Sequence, residues 1–171
     1  LFDYKEWALS SIWLHKQPLF LWQIALSFKI FGVNEFALRL PSVLMSTVCV
    51  YFIHRIGKRV VSWELGYCGA LLFSLGHFLN ELVSGMGTTD HNDVAFLFYV
   101  TASIWAWVEY TYSRHKKWIF IIGVCAGMAV LNKWLTGLVV ISGWAVSIIV
   151  DSDKRKNIRE YNHHLISIGM P

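Results

Sequence analysis

The sequence predicts an all-α integral membrane protein with about five transmembrane helices and an interfacial helix in an outer loop. Of its 171 residues, 56% are hydrophobic and only 15% are charged, whereas soluble domains carry about 25% charged residues. The apolar residues collect in long runs without the alternation that is typical of strands. Nine tryptophans and an aromatic content of 16% suit residues that favour membrane–water interfaces.

The first element is a short helix over Leu19–Phe31. It follows Pro18, which favours the start of a helix, and it ends at Gly32. The segment is too short to span a bilayer and contains Lys29, so we expect it to lie in the interface. It belongs to an outer, periplasmic loop formed by residues 1–35.

The predicted transmembrane bundle occupies residues 36–150. Its segments are 15 to 19 residues long, somewhat short of the roughly 20 residues that a spanning helix needs, so interfacial Trp and Tyr must complete some of them. Gly123 and Gly127 form a GxxxG pattern, which is typical of close helix packing. The final region, residues 151–171, is expected to be a cytoplasmic loop and the start of another span. The five segments are Phe36–Ile53, Leu65–Leu79, Val94–Tyr112, Trp118–Asn132 and Trp134–Val150.

The distribution of basic residues predicts the orientation. If the five segments cross in turn, three connections on one side carry ten of the fifteen Lys and Arg residues. The positive-inside rule assigns that side to the cytoplasm. The basic residues are dispersed among apolar runs and form no continuous basic face, so we expect membrane lipids as partners and no nucleic acid. The three cysteines lie within apolar runs and lack CxxC spacing, as buried core cysteines do.

The outer face gathers polar groups of different chemistry. Asp90 and Asp93 are candidate catalytic acid or base groups or metal ligands, although Asp93 also suits a helix N-cap just before an apolar span. Lys16 is a compact cation suited to a phosphate oxygen, or else an interfacial lysine that snorkels to water. His15 and His91 are candidate ligands of a divalent metal together with a carboxylate, with a non-metal role as the alternative.

Two further cations complete the predicted face. Arg39 and Lys133 are candidate substrate-binding residues that hold an anionic headgroup, pair with the aspartates, or simply anchor the interface. No ionisable residue lies near the middle of a predicted span, where transporters usually place their binding groups. The sequence therefore places any chemistry at one membrane surface.

Several motifs on this face resemble a known family. His15–Trp22 and Phe31–Ser42 resemble the first outer loop and following helix of bacterial C-type glycosyltransferases that use polyprenyl-phosphate sugars. This superfamily includes enzymes related to protein O-mannosyltransferases and the lipid A aminoarabinose transferase. Asp93 resembles the family's aspartate at the start of a span, and Leu131–Leu138 resembles its Thr-Lys-Gly-type turn. The resemblance runs from about Trp13 to Val150.

The resemblance implies a multi-pass enzyme of the bacterial inner membrane whose active site faces the periplasm. It would transfer a hexosyl or pentosyl group from a polyprenyl phosphate carrier to a lipid or protein acceptor. Lys16 matches the lysine that engages the carrier phosphate, and His15 stands where relatives often have a metal-binding Glu. The alternative is a non-enzymatic polytopic membrane subunit or a transporter fragment.

Two departures from the family pattern matter. Gln17 replaces the usual first proline of the loop, so we expect the loop to bend differently. The family's consecutive acidic pair is absent from the matching region, and Asp3 and Glu6 do not have its spacing. We therefore expect the pair upstream of Leu1, and we expect this chain to be a fragment that is inactive alone.

Overall fold

The structure is a computed structural model that describes residues 18–84 and 91–150. Every regular element in these ranges is helical, which confirms the all-α fold class. A 3-10 turn at Trp134–Leu138 separates the last two helices. The helices are α1 (Leu19–Phe31), α2 (Glu35–Val60), α3 (Trp63–Leu75), α4 (His77–Ser84), α5 (His91–Ser113), α6 (Lys117–Lys133) and α7 (Val139–Val150).

Three stretches of the described chain are long and apolar enough to cross a membrane: Glu35–Val60, Asn92–Ser113 and Lys117–Ser147. Two of the five predicted segments are interrupted. Leu65–Leu79 is divided at Gly76, where the backbone leaves the helical region between α3 and α4. Trp134 has a φ of 53° and ends α6. The predicted segment Trp134–Val150 therefore begins with the 3-10 turn and not with a helix.

Helix α1 has the bounds that the sequence predicts. Pro18 precedes it, and Gly32 ends it at a φ of 79°, a left-handed conformation that glycine adopts without strain. Helix α2 begins three residues later because the Asn34 side chain accepts a 2.8 Å hydrogen bond from the backbone N–H of Ala37. Ser27 donates a 2.6 Å hydrogen bond to the Ala37 carbonyl, which fastens α1 to the start of α2.

The long helices alternate in direction as the charge pattern predicts. Helices α2 and α5 run parallel: Phe52 stacks on Trp105 at a ring separation of 4.7 Å, and Arg55 reaches Glu109 near the ends of both helices. Helices α5 and α6 form an antiparallel hairpin, tied near its middle by a 3.3 Å hydrogen bond from Ser103 to the Ile122 carbonyl. The bundle thus has one end at the starts of α2 and α5 and an opposite end at their C-termini.

The opposite end holds a buried acid among arginines. The Glu109 side chain is only 4% exposed and contacts Arg55 at 2.5 Å and Arg59 at 3.3 Å. Two further cations lie nearby in the sequence, Lys58 in the last turn of α2 and Lys116 in the connection between α5 and α6. This is the end that the sequence assigns to the cytoplasm.

Glycine packing lies at a different place from the predicted one. A Cβ on Gly57 would lie 2.5 Å from the Gly66 Cα, so α2 and α3 approach closely at this pair. No atom of the described chain lies within 4 Å of a Cβ built on Gly123 or Gly127, the glycines of the GxxxG pattern. The buried residues of α6 lie on another face of that helix: Ile122, Ala126, Ala129 and Asn132.

Candidate active site

An ion pair joins two helices at the end of the bundle where α5 begins and α6 ends. Lys133 Nζ lies 2.5 Å from Asp93 Oδ1, and the two side chains are 37% and 38% exposed. The ammonium group also lies 5.6 Å from the centre of the Phe96 ring, within the range of a cation–π contact. Of the alternatives open for Lys133, the structure shows pairing with an aspartate.

Asp93 does not occupy the cap position. Helix α5 begins at His91, so Asp93 lies in the first helical turn. A carboxylate there interacts favourably with the positive end of the helix dipole. Asp93 is therefore not the N-cap of α5. It lies in the first turn of the helix and pairs with a residue of another helix.

Two asparagines, each one residue before a member of the ion pair, contact each other between the same two helices. Asn132 Nδ2 donates a 2.8 Å hydrogen bond to the Asn92 carbonyl, and Asn92 Nδ2 donates a 3.2 Å hydrogen bond to the Asn132 carbonyl. Asn132 is fully buried, and Asn92 is 8% exposed. This reciprocal pair was not predicted from the sequence. The available signal was an amide residue immediately before each charged residue, at the ends of two apolar runs.

The turn after Lys133 has a tightly determined backbone. Trp134 takes a left-handed φ, and Thr136 Oγ1 donates a 2.5 Å hydrogen bond to the Lys133 carbonyl. A Cβ on Gly137 would lie 2.3 Å from the Val130 backbone nitrogen, so only glycine fits where the turn packs back on α6. These contacts account for the threonine and the glycine of the Leu131–Leu138 motif, and one of them is made to the backbone of Lys133.

Helix α1 packs beside the same end of the hairpin. Leu19 and Phe20 join Ala95, Tyr99 and Ala129 in one buried cluster. Farther along α1, the Gln23 side-chain amide donates to the Tyr99 hydroxyl. Sequence analysis did not single out Gln23 or Tyr99, because their contact joins positions 76 residues apart.

The structure places one of the remaining predicted site residues away from Asp93 and does not describe the side chains of the others. Arg39 pairs with Glu35 on its own helix rather than with Asp93. An i, i+4 pair of this kind forms locally, which is the physical reason that Arg39 does not need the distant aspartate. The predicted residues His15, Lys16 and Asp90 lie outside the described residues, as does the side chain of His91.

Metal binding therefore stays a prediction. No group of three His, Cys, Asp or Glu side chains that could hold a metal occurs within the described ranges. Asp93 is the predicted metal ligand whose side chain the structure describes, and its Oδ1 contacts Lys133. A site would need His15, His91 or Asp90 in addition.

The geometry suits chemistry on a charged substrate. The pair lies at the end of apolar helices, where charges interact more strongly than in bulk water. Both groups keep more than a third of their side-chain surface exposed, so a ligand can reach them. An ammonium group can hold a phosphate oxygen, and a carboxylate can orient a hydroxyl.

Comparison with known proteins decides the family. Residues 15–170 match the sequence profile of the dolichyl-phosphate-mannose-protein mannosyltransferase family. The chain belongs to this family. The match includes every residue of the candidate site and confirms the predicted glycosyltransferase superfamily. Together with the apolar helices, it shows that this mannosyltransferase-family chain is part of a multi-pass membrane protein.

One curated relative extends the comparison. An uncharacterized protein of Aquifex aeolicus (strain VF5) is 31% identical over 134 residues. That similarity covers 78% of this chain but only 26% of the relative, so the chain spans about a quarter of the relative's length. No solved structure matches the chain.

Proposed function

We propose that the chain is part of a membrane glycosyltransferase that moves a sugar from a polyprenyl phosphate carrier to an acceptor on the outer side of a bacterial inner membrane. Family membership supports the use of a lipid-phosphate donor. The observation that carries the proposal is the contact between Asp93 and Lys133. These residues come from separate motifs, 40 positions apart, and meet at one end of the bundle.

The proposed reaction is a displacement at the anomeric carbon. An acceptor hydroxyl oxygen forms the new bond to that carbon, and the bond from the carbon to the carrier phosphate oxygen breaks. The carrier leaves as its phosphate, whose negative charge a cation stabilises. The proton of the acceptor hydroxyl goes to a carboxylate acting as general base.

The residues divide these tasks. We assign Lys16 to the carrier phosphate and Asp93 to the acceptor hydroxyl, with Asp90 as the second candidate carboxylate. Lys133 holds Asp93 before substrate arrives. A carrier phosphate that reaches the site competes with Asp93 for this ammonium group, which turns the carboxylate toward the acceptor. Arg39, at the exposed start of α2, is assigned to an anionic headgroup.

The test uses the full-length protein in vesicles supplied with a polyprenyl-phosphate sugar. Lys16→Ala is expected to abolish sugar transfer while leaving membrane insertion intact, because the leaving phosphate loses its cation. Lys29→Ala is the matched control, since Lys29 is an exposed lysine in the last turn of α1 and has no assigned task. Normal transfer by Lys16→Ala would remove phosphate binding by this residue. Absence of any transfer by the wild-type protein would favour a non-enzymatic subunit or a transporter.

A further inference from the structure

The two asparagines behind the ion pair have no task in the proposed reaction. We infer that the Asn92–Asn132 pair is a positioning device that holds Asp93 and Lys133 in contact, and we call this pair the amide clasp. The inference rests on the proposed function for its catalytic consequence. Its geometric part rests on the two hydrogen bonds alone.

The clasp acts on the backbone rather than on the charged side chains. Each amide donates to the backbone carbonyl of the opposite asparagine, and each asparagine immediately precedes one member of the ion pair. A slide of α6 along α5 by one turn, about 5.4 Å, would break both hydrogen bonds. The clasp therefore sets the register at which Asp93 faces Lys133.

The end of α6 needs such a constraint. Asn132 lies in the last turn of α6, where helical carbonyls have no intrahelical donor, and the Asn92 amide supplies one. Lys133 is the final residue of α6, directly before the left-handed Trp134. Helix ends fray readily, so a side chain at this position is held in place by contacts outside its own helix.

Burial argues for a specific role of the amides. Asn132 is fully buried and Asn92 nearly so, and Ala95 and Ala129, about one helical turn away on the same two helices, are buried in an apolar cluster. Buried amides are costly unless they are hydrogen-bonded, and apolar side chains would join the two helices without that cost. Buried polar pairs between helices are best known for fixing register.

The reactivity of Lys133 tests the geometry without any sugar donor. The full-length protein in detergent is treated with an amine-reactive reagent, and modification of Lys133 is followed by peptide mass spectrometry. Asn132→Ala is expected to raise the modification rate several-fold, toward the rate in Asp93→Asn, where the partner carboxylate is removed. Ser103→Ala is the matched control, because it removes another buried hydrogen bond between the same two helices.

Each outcome of this measurement bears on the clasp. A wild-type rate in Asn132→Ala, with a raised rate in Asp93→Asn, would overturn the inference. A wild-type rate in Asp93→Asn would also overturn it, because no ion pair would then protect Lys133. If Asn132→Ala fails to fold, Asn92→Ala is measured instead, since it removes one hydrogen bond at a slightly exposed position.

A double-mutant cycle tests the catalytic consequence. Asn132→Ala is expected to lower kcat about tenfold or more, because small misplacements of reacting groups are costly, with a smaller effect on KM. In an Asp93→Asn background the same change should cause no further loss, since the clasp acts through that carboxylate. Independent losses would overturn positioning. Normal transfer by all variants, together with the expected Lys133 reactivity, would leave the geometric clasp standing and reject Asp93 as the catalytic carboxylate. The same reactivity without any transfer by the wild-type protein would reject the proposed function and leave the geometric clasp standing.

Discussion

At the scale of single residues, the ion pairs of this bundle differ in how exposed they are to solvent. Asp93 and Lys133 form a pair that remains accessible at one end. Glu109 and its two arginines form a cluster in which the acid is almost fully buried at the other end. Exposed pairs contribute little to stability, whereas breaking a buried pair is expensive. We therefore expect the first pair to serve activity and the second to serve folding.

Substitution of Asp93 tests the first expectation. Asp93→Asn keeps the shape of the side chain but removes the charge that pairs with Lys133 and the proposed general base. Because the pair is partly exposed, the variant should lose no more than about 1 kcal/mol of stability and melt near the wild-type temperature in detergent. It should nevertheless lose most sugar transfer by the full-length enzyme. Asp90→Asn is the paired control, with a smaller expected loss; normal transfer by Asp93→Asn would locate the acidic chemistry elsewhere.

Substitution of Glu109 tests the second expectation. Glu109→Ala leaves the guanidinium groups of Arg55 and Arg59 beside each other without the acid that both contact. We expect a loss of about 3 kcal/mol in the free energy of unfolding, the low end for a broken buried pair, because both arginines reach water. Denaturant unfolding in detergent measures it. Glu35→Ala is the control, since that side chain is 73% exposed, and an equal loss in both variants would contradict the argument.

The sequence identifies site residues better than it identifies their partners. Asp93 and Lys133 stand out because each is a charged residue at the end of an apolar run that matches a family motif. Their contact with each other depends on the register between two helices. The Asn92–Asn132 pair depends on that register too, and uncharged amides give no strong signal in a single sequence.

At the scale of helices, local signals predict the ends of some elements and not of others. Pro18 and Gly32 bound α1 as the sequence predicts. The proline ring restricts its own φ angle, and glycine accepts a φ that other residues avoid, so both signals act locally. The end of α6 is different, since a tryptophan takes the left-handed conformation there. Two contacts of the turn accompany that conformation: Gly137 packs against the α6 backbone, and Thr136 donates a hydrogen bond to the Lys133 carbonyl.

Glycine substitutions compare two kinds of helix face. A Cβ on Gly66 would lie 2.5 Å from the His54 carbonyl oxygen, so Gly66→Ala must push α3 away from α2. We expect a loss of about 1–3 kcal/mol, as for other overpacked sites, measured as a lower melting temperature in detergent. Gly123→Ala is the matched control because no described atom lies near the added methyl group. It should be neutral or stabilising by up to about 1 kcal/mol, since alanine favours helices. Equal destabilisation of both variants would place a partner helix on the GxxxG face.

At the scale of the whole molecule, the two ends of the bundle differ in charge. At one end, Asp93 and Lys133 pair one to one, whereas at the other end two arginines contact the single acid Glu109. The parallel course of α2 and α5 and the antiparallel α5–α6 hairpin put these groups at opposite ends. An orientation with the basic end in the cytoplasm follows from the positive-inside rule.

Cysteine labelling in intact cells tests this orientation. After replacement of the native Cys49, Cys68 and Cys125, a single cysteine is introduced at Val33 or at His115. Val33 lies between α1 and α2 and is 87% exposed, and His115 lies in the exposed connection between α5 and α6. A cysteine at Asn92 would be a poor probe of the same end, because that position is buried and belongs to the amide clasp.

A membrane-impermeant maleimide should label Val33→Cys directly and His115→Cys only after permeabilisation. The physical reason is that α2 and α5 both start at the end that is predicted to face outward, so that the α1–α2 loop and the α5–α6 connection are expected on opposite sides. The reverse pattern would put Asp93 and Lys133 in the cytoplasm and reject transfer on the outer side. Equal labelling of both positions in intact cells would reject the alternating topology itself, because the chain would then return to the same side after α2 and α5.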